Sequence, residues 1–246
     1  MDYSQDIIMI SGGSKGIGLA TARRLGKKGA KISICARNEE PLREAERILQ
    51  DEEIDVFGVR ADVSNEEEVE NWFQQTESRL GQPTVLINNA GVSGKGNFLD
   101  LTEEQWDRTY GVNCRGVFLC TRRVLPGMIE ARRGRILMIS SMASLYFTSG
   151  NSLYFSSKWA LNGFAHCLAK EVSRYNIHIH IICPGMTETE FFEDHGGRPH
   201  EKDVIYASPD DIAQLVERFL ELPDHLDALE YTLFPSWQLP AFGVRR

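Results

Sequence analysis

The chain has 246 residues, of which 42% are hydrophobic and 25% charged, and this balance is typical of a globular protein with one large core. The formal net charge is −8, so a broad positive surface for nucleic acid or an anionic membrane is not expected. The N-terminal residues are acidic and polar, unlike a signal peptide, and no apolar run approaches the ~18 residues of a bilayer span. We therefore expect a cytoplasmic protein without nucleic-acid or membrane partners, organised as a single domain over residues 1–246.

The cysteines and histidines give no sign of a metal site. The five cysteines are scattered and form no Cys-x-x-Cys pair, and most lie in apolar stretches. We therefore expect buried free thiols in a reducing compartment. His178 and His180 alternate along a predicted strand and would face one way together, but no third ligand is evident.

A glycine-rich turn follows the first predicted strand. Residues 7–10 are wholly apolar, which indicates a strand buried on both faces, as in a parallel sheet. Residues 11–18, Ser-Gly-Gly-Ser-Lys-Gly-Ile-Gly, come next and lead into a helical pattern. Gly12 would allow the tight turn, Gly16 a close approach of the backbone to a pyrophosphate, and Gly18 close packing of the helix on the sheet. The pattern favours an anion site at the helix N-terminus over a plain glycine turn.

The end of the second predicted strand indicates which dinucleotide is bound. Residues 31–36 form that strand, and Arg37 and Asn38 follow it. An acidic residue at this place would bind the 2′-hydroxyl of NAD, whereas an arginine suits a 2′-phosphate. Lys15, in the glycine loop, could approach the same phosphate. The two cations favour NADP(H); the alternative is two solvated surface charges.

Strands and helices alternate over the rest of the chain. Further strands are predicted over 54–60, 84–87, 134–140, 177–183 and 229–234, and helices over 41–50, 64–80, 101–128, 152–175 and 208–222. This order predicts an α/β fold, a doubly wound parallel sheet of about seven strands with helices on both faces, of the Rossmann type. Ser64-x-x-Glu67 matches a capping box at the third helix. Residues 186–205 are irregular, and we expect them to form a mobile substrate loop.

Polar residues stand at several strand ends and inside one helix. Asp62 follows the third strand and could accept a hydrogen bond from an adenine amino group, or merely begin the next helix region. Residues 88–91, Asn-Asn-Ala-Gly, follow the fourth strand, at the sheet edge where such folds bind ligands. Asn113 lies within a predicted helix, where asparagine is mildly unfavourable unless it is exposed or has a role.

Tyr154 and Lys158 are four positions apart on a predicted helix, which places both on one face. An isolated phenol titrates near pH ~10, and a nearby ammonium lowers that pKa by favouring the phenolate. A serine hydroxyl from another element could polarise a carbonyl beside the same phenol. The alternative is an ordinary amphipathic helix face.

Seven motifs in order and spacing resemble the short, single-domain branch of the short-chain dehydrogenase/reductases over nearly the whole chain. They are SGGSKGIG at 11–18, DV at 62–63, NNAG at 88–91, N at 113, SS at 140–141, YFSSK at 154–158 and PGMTET at 184–189. The resemblance implies NAD(P)-dependent oxidation of alcohols or reduction of ketones on a Rossmann-type sheet, usually in a homodimer or homotetramer.

The resemblance also assigns roles to residues. Tyr154 would be the acid toward a ketone or the base toward an alcohol, Ser141 would hold the substrate oxygen, Lys158 would hold the nicotinamide ribose and lower the pKa of Tyr154, and Asn113 would position a water molecule that links Lys158 to solvent. The cofactor would contact Gly12, Ser14, Lys15, Gly16, Ile17 and Gly18 at its pyrophosphate and neighbouring ribose, Arg37 and Asn38 at its 2′-phosphate, Asp62 and Val63 at its adenine, and Asn89 on its adenosine side. Thr187 and Thr189 would meet its carboxamide, and Ala90, Gly91, Pro184 and Gly185 would contact it elsewhere.

Three functions are therefore considered. The first is an NADPH-dependent reductase of ketones or aldehydes, and the second is a 3-oxoacyl-thioester reductase. The second needs a basic docking patch near the pocket, with Arg122, Arg123, Arg132 and Arg133 as candidates. The third is a non-catalytic NADP-binding sensor or scaffold. The substrate is expected among residues 92–98, 142–153 and 186–205, in a mainly apolar pocket that includes Leu145, Tyr146, Phe147, Phe191 and Phe192.

Overall fold

Seven parallel strands form one sheet in the computed structural model, which describes residues 2–191, 205–236 and 238. The strands are β1 (Ile7–Ser11), β2 (Lys31–Ala36), β3 (Val56–Arg60), β4 (Val85–Asn88), β5 (Gly134–Ile139), β6 (Ile177–Pro184) and β7 (Glu230–Leu233). Their order across the sheet is β3-β2-β1-β4-β5-β6-β7, with every neighbouring pair parallel. The predicted doubly wound sheet is thus confirmed.

Helices cover both faces of this sheet. They are α1 (Gly16–Gly26), α2 (Glu39–Asp51), α3 (Glu66–Leu80), α4 (Glu103–Tyr110), α5 (Val117–Ala131), α6 (Ser152–Val172) and α7 (Pro209–Leu220). Trp72 of α3, Val124 of α5 and Leu168 of α6 belong to the core on one face. Leu25 of α1 and Phe219 of α7 belong to the core on the other face. Because both faces are covered, the strands are almost wholly apolar, as their sequences predicted.

The sheet changes its winding direction between β1 and β4. From β1 the chain proceeds outward to β2 and β3, then returns to β4 on the other side and continues to β7. Loops that leave the carboxyl ends of β1 and β4 therefore diverge and open a crevice, which is where ligands bind in folds of this kind.

Two helix predictions are corrected by the structure. The capping box at Ser64 is wrong, because α3 begins one residue later than expected: Asn65 is its N-cap and accepts from the backbone N–H of Glu67 and Glu68. Asparagine caps helices as well as serine does, so the pattern alone did not decide the register. The predicted helix over 101–128 is instead α4 and α5 joined by a wider π-helical turn, Gly111–Gly116, which contains Asn113.

The burial of the cysteine thiols agrees only in part with the prediction. Cys35, Cys120 and Cys183 are buried, but Cys114 is half-buried and Cys167 is exposed. Part of the predicted substrate loop, residues 192–204 with Phe192, lies outside the described residues.

Candidate active site

A cavity of about 600 Å³ lies at the carboxyl ends of the central strands. It is lined by most of the residues that the sequence singled out: Gly12, Ser14, Lys15, Gly16, Ile17, Arg37, Asn38, Asp62, Val63, Asn89, Ala90, Gly91, Ser141, Tyr154, Lys158, Pro184, Gly185, Thr187 and Thr189. Gly18 and Asn113 do not line the cavity, and both support its walls from behind. The fold thus brings residues from seven chain segments to one place.

The glycine loop at one end of the cavity has a backbone that only glycine adopts easily. Gly12 and Gly16 have φ of +65° and +54°. A side chain on Gly18 would clash with the carbonyl oxygen of Gly12, so this helix can pack so closely only with glycine there. A side chain on Gly16 would meet the side chain of Thr189. The loop therefore leaves an open backbone cradle at the N-terminus of α1, which fits a dinucleotide pyrophosphate.

Asn89 fastens this loop to the end of β4. Its Nδ2 donates to the carbonyl oxygens of Ser11 (2.9 Å) and Gly12 (3.0 Å). In return, the Ser11 hydroxyl accepts from the backbone N–H of Asn89 and Ala90, each at 3.0 Å. Although Asn89 lines the cavity, its amide donor is thus committed to holding the loop.

Two cations mark the other end of the cradle. Lys15 and Arg37 are both exposed and both line the cavity, and neither side chain has a hydrogen bond or ion pair within the described parts of the chain. Glu39, the nearest carboxylate in sequence to Arg37, is paired with Arg43 at 2.7 Å. Such uncompensated cations fit an additional phosphate group.

The carboxylate of Asp62, which follows β3, accepts hydrogen bonds within its own turn. Its Oδ1 accepts from the backbone N–H of Ser64 (2.9 Å) and from the Ser64 hydroxyl (2.7 Å). The second carboxylate oxygen has no such bond to Ser64, and the residue still lines the cavity. The predicted contact with adenine stays a prediction.

The Lys158 ammonium is hydrogen bonded to a strand end at the cavity wall rather than to the phenol of Tyr154. Its Nζ donates to the carbonyl oxygen of Ile139 at 3.0 Å and lies 5.8 Å from the centre of the Tyr154 ring. The side chain is buried, and this burial lowers the pKa of Lys158 to about 8. The ammonium form still predominates at neutral pH.

The pKa of Tyr154 moves in the direction opposite to the prediction. Burial raises it to about 12, and this effect outweighs a hydrogen bond with the Ser141 side chain, which lowers it. Lys158 was expected to lower the pKa of Tyr154, but among the described residues it is not one of the groups that shift this pKa. A phenol with this pKa is fully protonated at neutral pH, which is the state that a proton donor needs.

Asn113 joins the loop after β4 to helix α6. Its Oδ1 accepts from the backbone N–H of Val92 (2.9 Å), and its Nδ2 donates to Val92 O (2.8 Å) and to the Ser157 hydroxyl (2.9 Å). These bonds connect the Asn113 side chain to two chain segments, one next to Gly91 and one next to Lys158. The side chain therefore holds two walls of the cavity together, and the predicted water link to Lys158 stays a prediction.

A buried polar chain behind Ser141 was missed from the sequence. The Ser140 hydroxyl donates to Asn162 Oδ1 (2.5 Å), and Asn162 Nδ2 donates to the Ser144 hydroxyl (3.0 Å). Ser144 in turn donates to the carbonyl oxygen of Ser141 (2.7 Å). The sequence did contain one sign that Asn162 belongs to the site. It lies four positions after Lys158 and therefore shares its helix face.

The wider end of the cavity is lined by aromatic and polar side chains, among them Tyr146, Thr148, Asn151, Phe155 and Phe191. Phe191 lies 5.6 Å from Tyr154, centre to centre. Leu145 and Phe147 were predicted here but do not line the cavity, and Phe147 stacks on Trp159 instead. Lys95, Arg108 and Gln238 also line it; the last two lie outside the predicted substrate segments.

The four arginines considered as candidates for a basic docking patch lie elsewhere on the molecule than the cavity wall. None of the four arginines at 122, 123, 132 and 133 lines the cavity. Arg123 pairs with Glu70, Arg133 pairs with Asp6, and Arg132 donates to Arg174 O. Arg132 and Arg133 directly precede β5, so they lie at the amino ends of the strands, whereas the cavity lies at the carboxyl ends.

Two features are absent from the residues that the structure describes. No group of three or more histidine, cysteine, aspartate or glutamate side chains there is arranged to hold a metal ion. In the same ranges, no helix combines the length and the apolar character that a bilayer crossing requires.

Comparison with known proteins points to one family. The family model described as short chain dehydrogenase matches residues 6–198. A putative ketoacyl reductase of Streptomyces coelicolor is 34% identical over 208 residues, 84% of this chain and 79% of that protein. The 3-oxoacyl-[acyl-carrier-protein] reductase of Bos taurus is 32% identical over 220 residues, covering 88% and 92%. The crystal structure of an actinorhodin polyketide ketoreductase with NADPH superposes with a TM-score of 0.85 at 29% identity, covering 95% and 97%.

Proposed function

This chain belongs to the short-chain dehydrogenase family, and we propose that it is an NADP(H)-dependent reductase that interconverts a ketone or aldehyde with the corresponding alcohol. The observation that carries the proposal is the grouping of Tyr154, Ser141 and Lys158 on one wall of a cavity whose other wall is a glycine cradle. Neither wall alone would favour this chemistry over a simple binding site.

Tyr154 is the proposed acid. Its protonated phenol, hydrogen bonded to the Ser141 side chain, gives a carbonyl oxygen two hydroxyl groups to contact. As negative charge develops on that oxygen, both groups stabilise it and Tyr154 transfers its proton. A nicotinamide cofactor held by the glycine cradle and Lys158 would supply the hydride.

Lys158 and the glycine cradle position the reactants. The buried ammonium of Lys158 lies at the cavity wall, where it suits the hydroxyls of a ribose and adds positive charge near the developing alkoxide. Asn113 holds Val92 and Ser157, the neighbour of Lys158 in sequence, to each other. Lys15 and Arg37 have free cationic groups for a 2′-phosphate, and the NADPH bound in the similar ketoreductase structure supports the same cofactor choice.

A panel of ketones, aldehydes and keto esters with NADPH tests the proposal. We expect loss of reduced-nicotinamide absorbance with at least one class of carbonyl compound and a lower rate with NADH. Tight NADPH binding without turnover across the panel would favour the non-catalytic sensor instead.

The second candidate is a 3-oxoacyl-thioester reductase. The names of the relatives from Streptomyces coelicolor and Bos taurus favour it. Lys95 and Arg108 favour it as well, because both are exposed, both line the cavity, and neither has a hydrogen bond or ion pair among the described residues. They provide near the pocket the positive charge that the four arginines at 122, 123, 132 and 133 do not. Comparing a 3-oxoacyl thioester on a carrier with its free keto ester would separate the two candidates.

A further inference from the structure

Gln238 is a buried polar residue of the cavity wall that no motif of the sequence indicated. Its side chain is 6% exposed, and it follows β7 in a turn closed by its backbone N–H, which donates to Pro235 O at 2.9 Å. The turn sits directly on Gly185: the Gly185 N–H donates to Leu233 O, and a side chain on Gly185 would clash with Phe234 and Gln238. The glycine is needed there to let this turn approach.

The orientation of the Gln238 amide follows from its partner. The backbone N–H of Met186 donates to Gln238 Oε1 at 2.9 Å, so the oxygen faces Met186 and the NH₂ group faces away. That NH₂ group has no acceptor among residues 2–191 and 205–236. The side chain also lines the cavity. Gln238 therefore presents a hydrogen-bond donor to the cavity.

The sheet places this donor beside the reacting groups. β5 and β6 are adjacent and parallel, with Ile139 opposite Ile182. Ser141 and Pro184 each lie two residues beyond this pair, and neighbouring strands are about 4.8 Å apart. The turn at Gly185 and Met186, with the Gln238 amide on it, thus adjoins the strand end that carries Ser141.

We propose that the Gln238 NH₂ group donates a hydrogen bond to a second oxygen of the substrate, close to the carbonyl that is reduced. The substrate is then a keto ester, keto acid or keto thioester rather than a simple alkyl ketone. This inference rests on the proposed reductase function and names the substrate class for the same site. A buried donor left without an acceptor is costly, so the site discriminates against a ketone that lacks the second oxygen.

Two substrates and two variants test the proposal. Ethyl 3-oxobutanoate has the second oxygen, whereas 2-heptanone has the same chain length without it. Gln238→Glu keeps an oxygen for the Met186 N–H but removes the donor, and Gln214→Glu makes the same change at an exposed position of α7 outside the cavity. We expect Gln238→Glu to lower kcat/KM for the keto ester about tenfold relative to 2-heptanone, and Gln214→Glu to leave that ratio unchanged. The keto ester is intrinsically more reactive than 2-heptanone, but this difference is the same for every variant. It therefore cancels when the ratio of kcat/KM values for the two substrates is compared between proteins.

The NADPH dissociation constant and the melting temperature of Gln238→Glu are measured alongside, and both should stay near those of the unmodified protein. An equal loss for both substrates would mean that Gln238 only supports the turn, and would overturn the inference while leaving the reductase function intact. Absence of any carbonyl reduction by the unmodified protein would remove the proposed function and this inference together.

Discussion

The ammonium group of Lys158 donates a hydrogen bond to the carbonyl oxygen of Ile139, the last residue of β5, at 3.0 Å. This bond ties the middle of one face of α6 to the end of a central strand. Four residues further along the helix, Asn162 makes a second tie to the same strand end through Ser140. Tyr154, one turn earlier on α6, is thereby held at a set position relative to Ser141.

Replacing Tyr154 with phenylalanine should abolish reduction. The change removes the phenol oxygen but keeps the ring that contacts Phe191, so the cavity keeps its shape. Loss of a general acid typically lowers the rate by about 10²–10⁴-fold. We expect kcat to fall by that factor, while the NADPH dissociation constant measured by fluorescence changes less than about threefold. Turnover at an undiminished rate would exclude Tyr154 as the acid.

Replacing Arg37 with aspartate should shift the cofactor preference toward NAD. The variant exchanges a free cation for a carboxylate that repels a 2′-phosphate and can accept from a 2′-hydroxyl. A lost hydrogen bond to a charged group costs about 1.5–3 kcal/mol, so the ratio of kcat/KM for NADPH over NADH should fall at least about tenfold. Arg47→Asp is the control, because Arg47 is also exposed, on α2, but does not line the cavity. An unmoved ratio in Arg37→Asp would show that the 2′-phosphate lies elsewhere.

Asn162 should act as a positioning residue through Ser144 and Ser141. Asn162→Leu leaves both serine hydroxyls without their amide partner, and we expect kcat to fall about tenfold with NADPH binding unchanged. The hydrogen bond with Ser141 lowers the pKa of Tyr154, so disturbing it raises that pKa further. The alkaline limb of the kcat/KM profile for reduction should therefore move to higher pH. Ser156→Ala, on the exposed side of α6, should leave the profile in place; if Asn162→Leu also leaves it in place, the residue has only a structural role.

His180 should make the protein less stable in weak acid. Its Nδ1–H donates to Ala228 O at 2.9 Å, and burial lowers its pKa from 6.5 to about 4. Between these two values the unfolded chain binds a proton that the folded chain does not, so the free energy of unfolding falls as the pH falls through this window and is fully retained above it. The loss should be on the order of 1–3 kcal/mol.

His180→Asn provides the comparison, since asparagine can donate to Ala228 O but does not titrate. Urea unfolding of both proteins at pH 8, 6 and 5 would isolate the effect of His180 from that of the carboxylates. If the difference in stability between the two proteins is the same at all three pH values, His180 is not the group responsible.

The sequence alone determined the order of strands and helices, the glycine cradle, and the Tyr154–Lys158 pair, because these depend on local patterns of two to eighteen residues. An apolar run bounded by glycine is compatible with few local structures. The same holds for two residues four positions apart on a helix. The helix start at Asn65 and the π-helical turn at Gly111–Gly116 were misjudged for a physical reason. Neighbouring residues offered equivalent caps, and the wider turn contains Asn113, whose bonds to Val92 and Ser157 join segments distant in sequence.

Only the tertiary structure decided the pKa of Tyr154 and the members of the cavity wall. Proximity of an ammonium in sequence predicted a lowered pKa, but burial depends on what the whole fold places around the phenol, and here it has the larger effect. Gln238 reaches the cavity because β7 pairs with β6 and returns the chain over Gly185, 53 positions earlier. No local pattern contains a contact of that range, since it arises only when the strands have assembled.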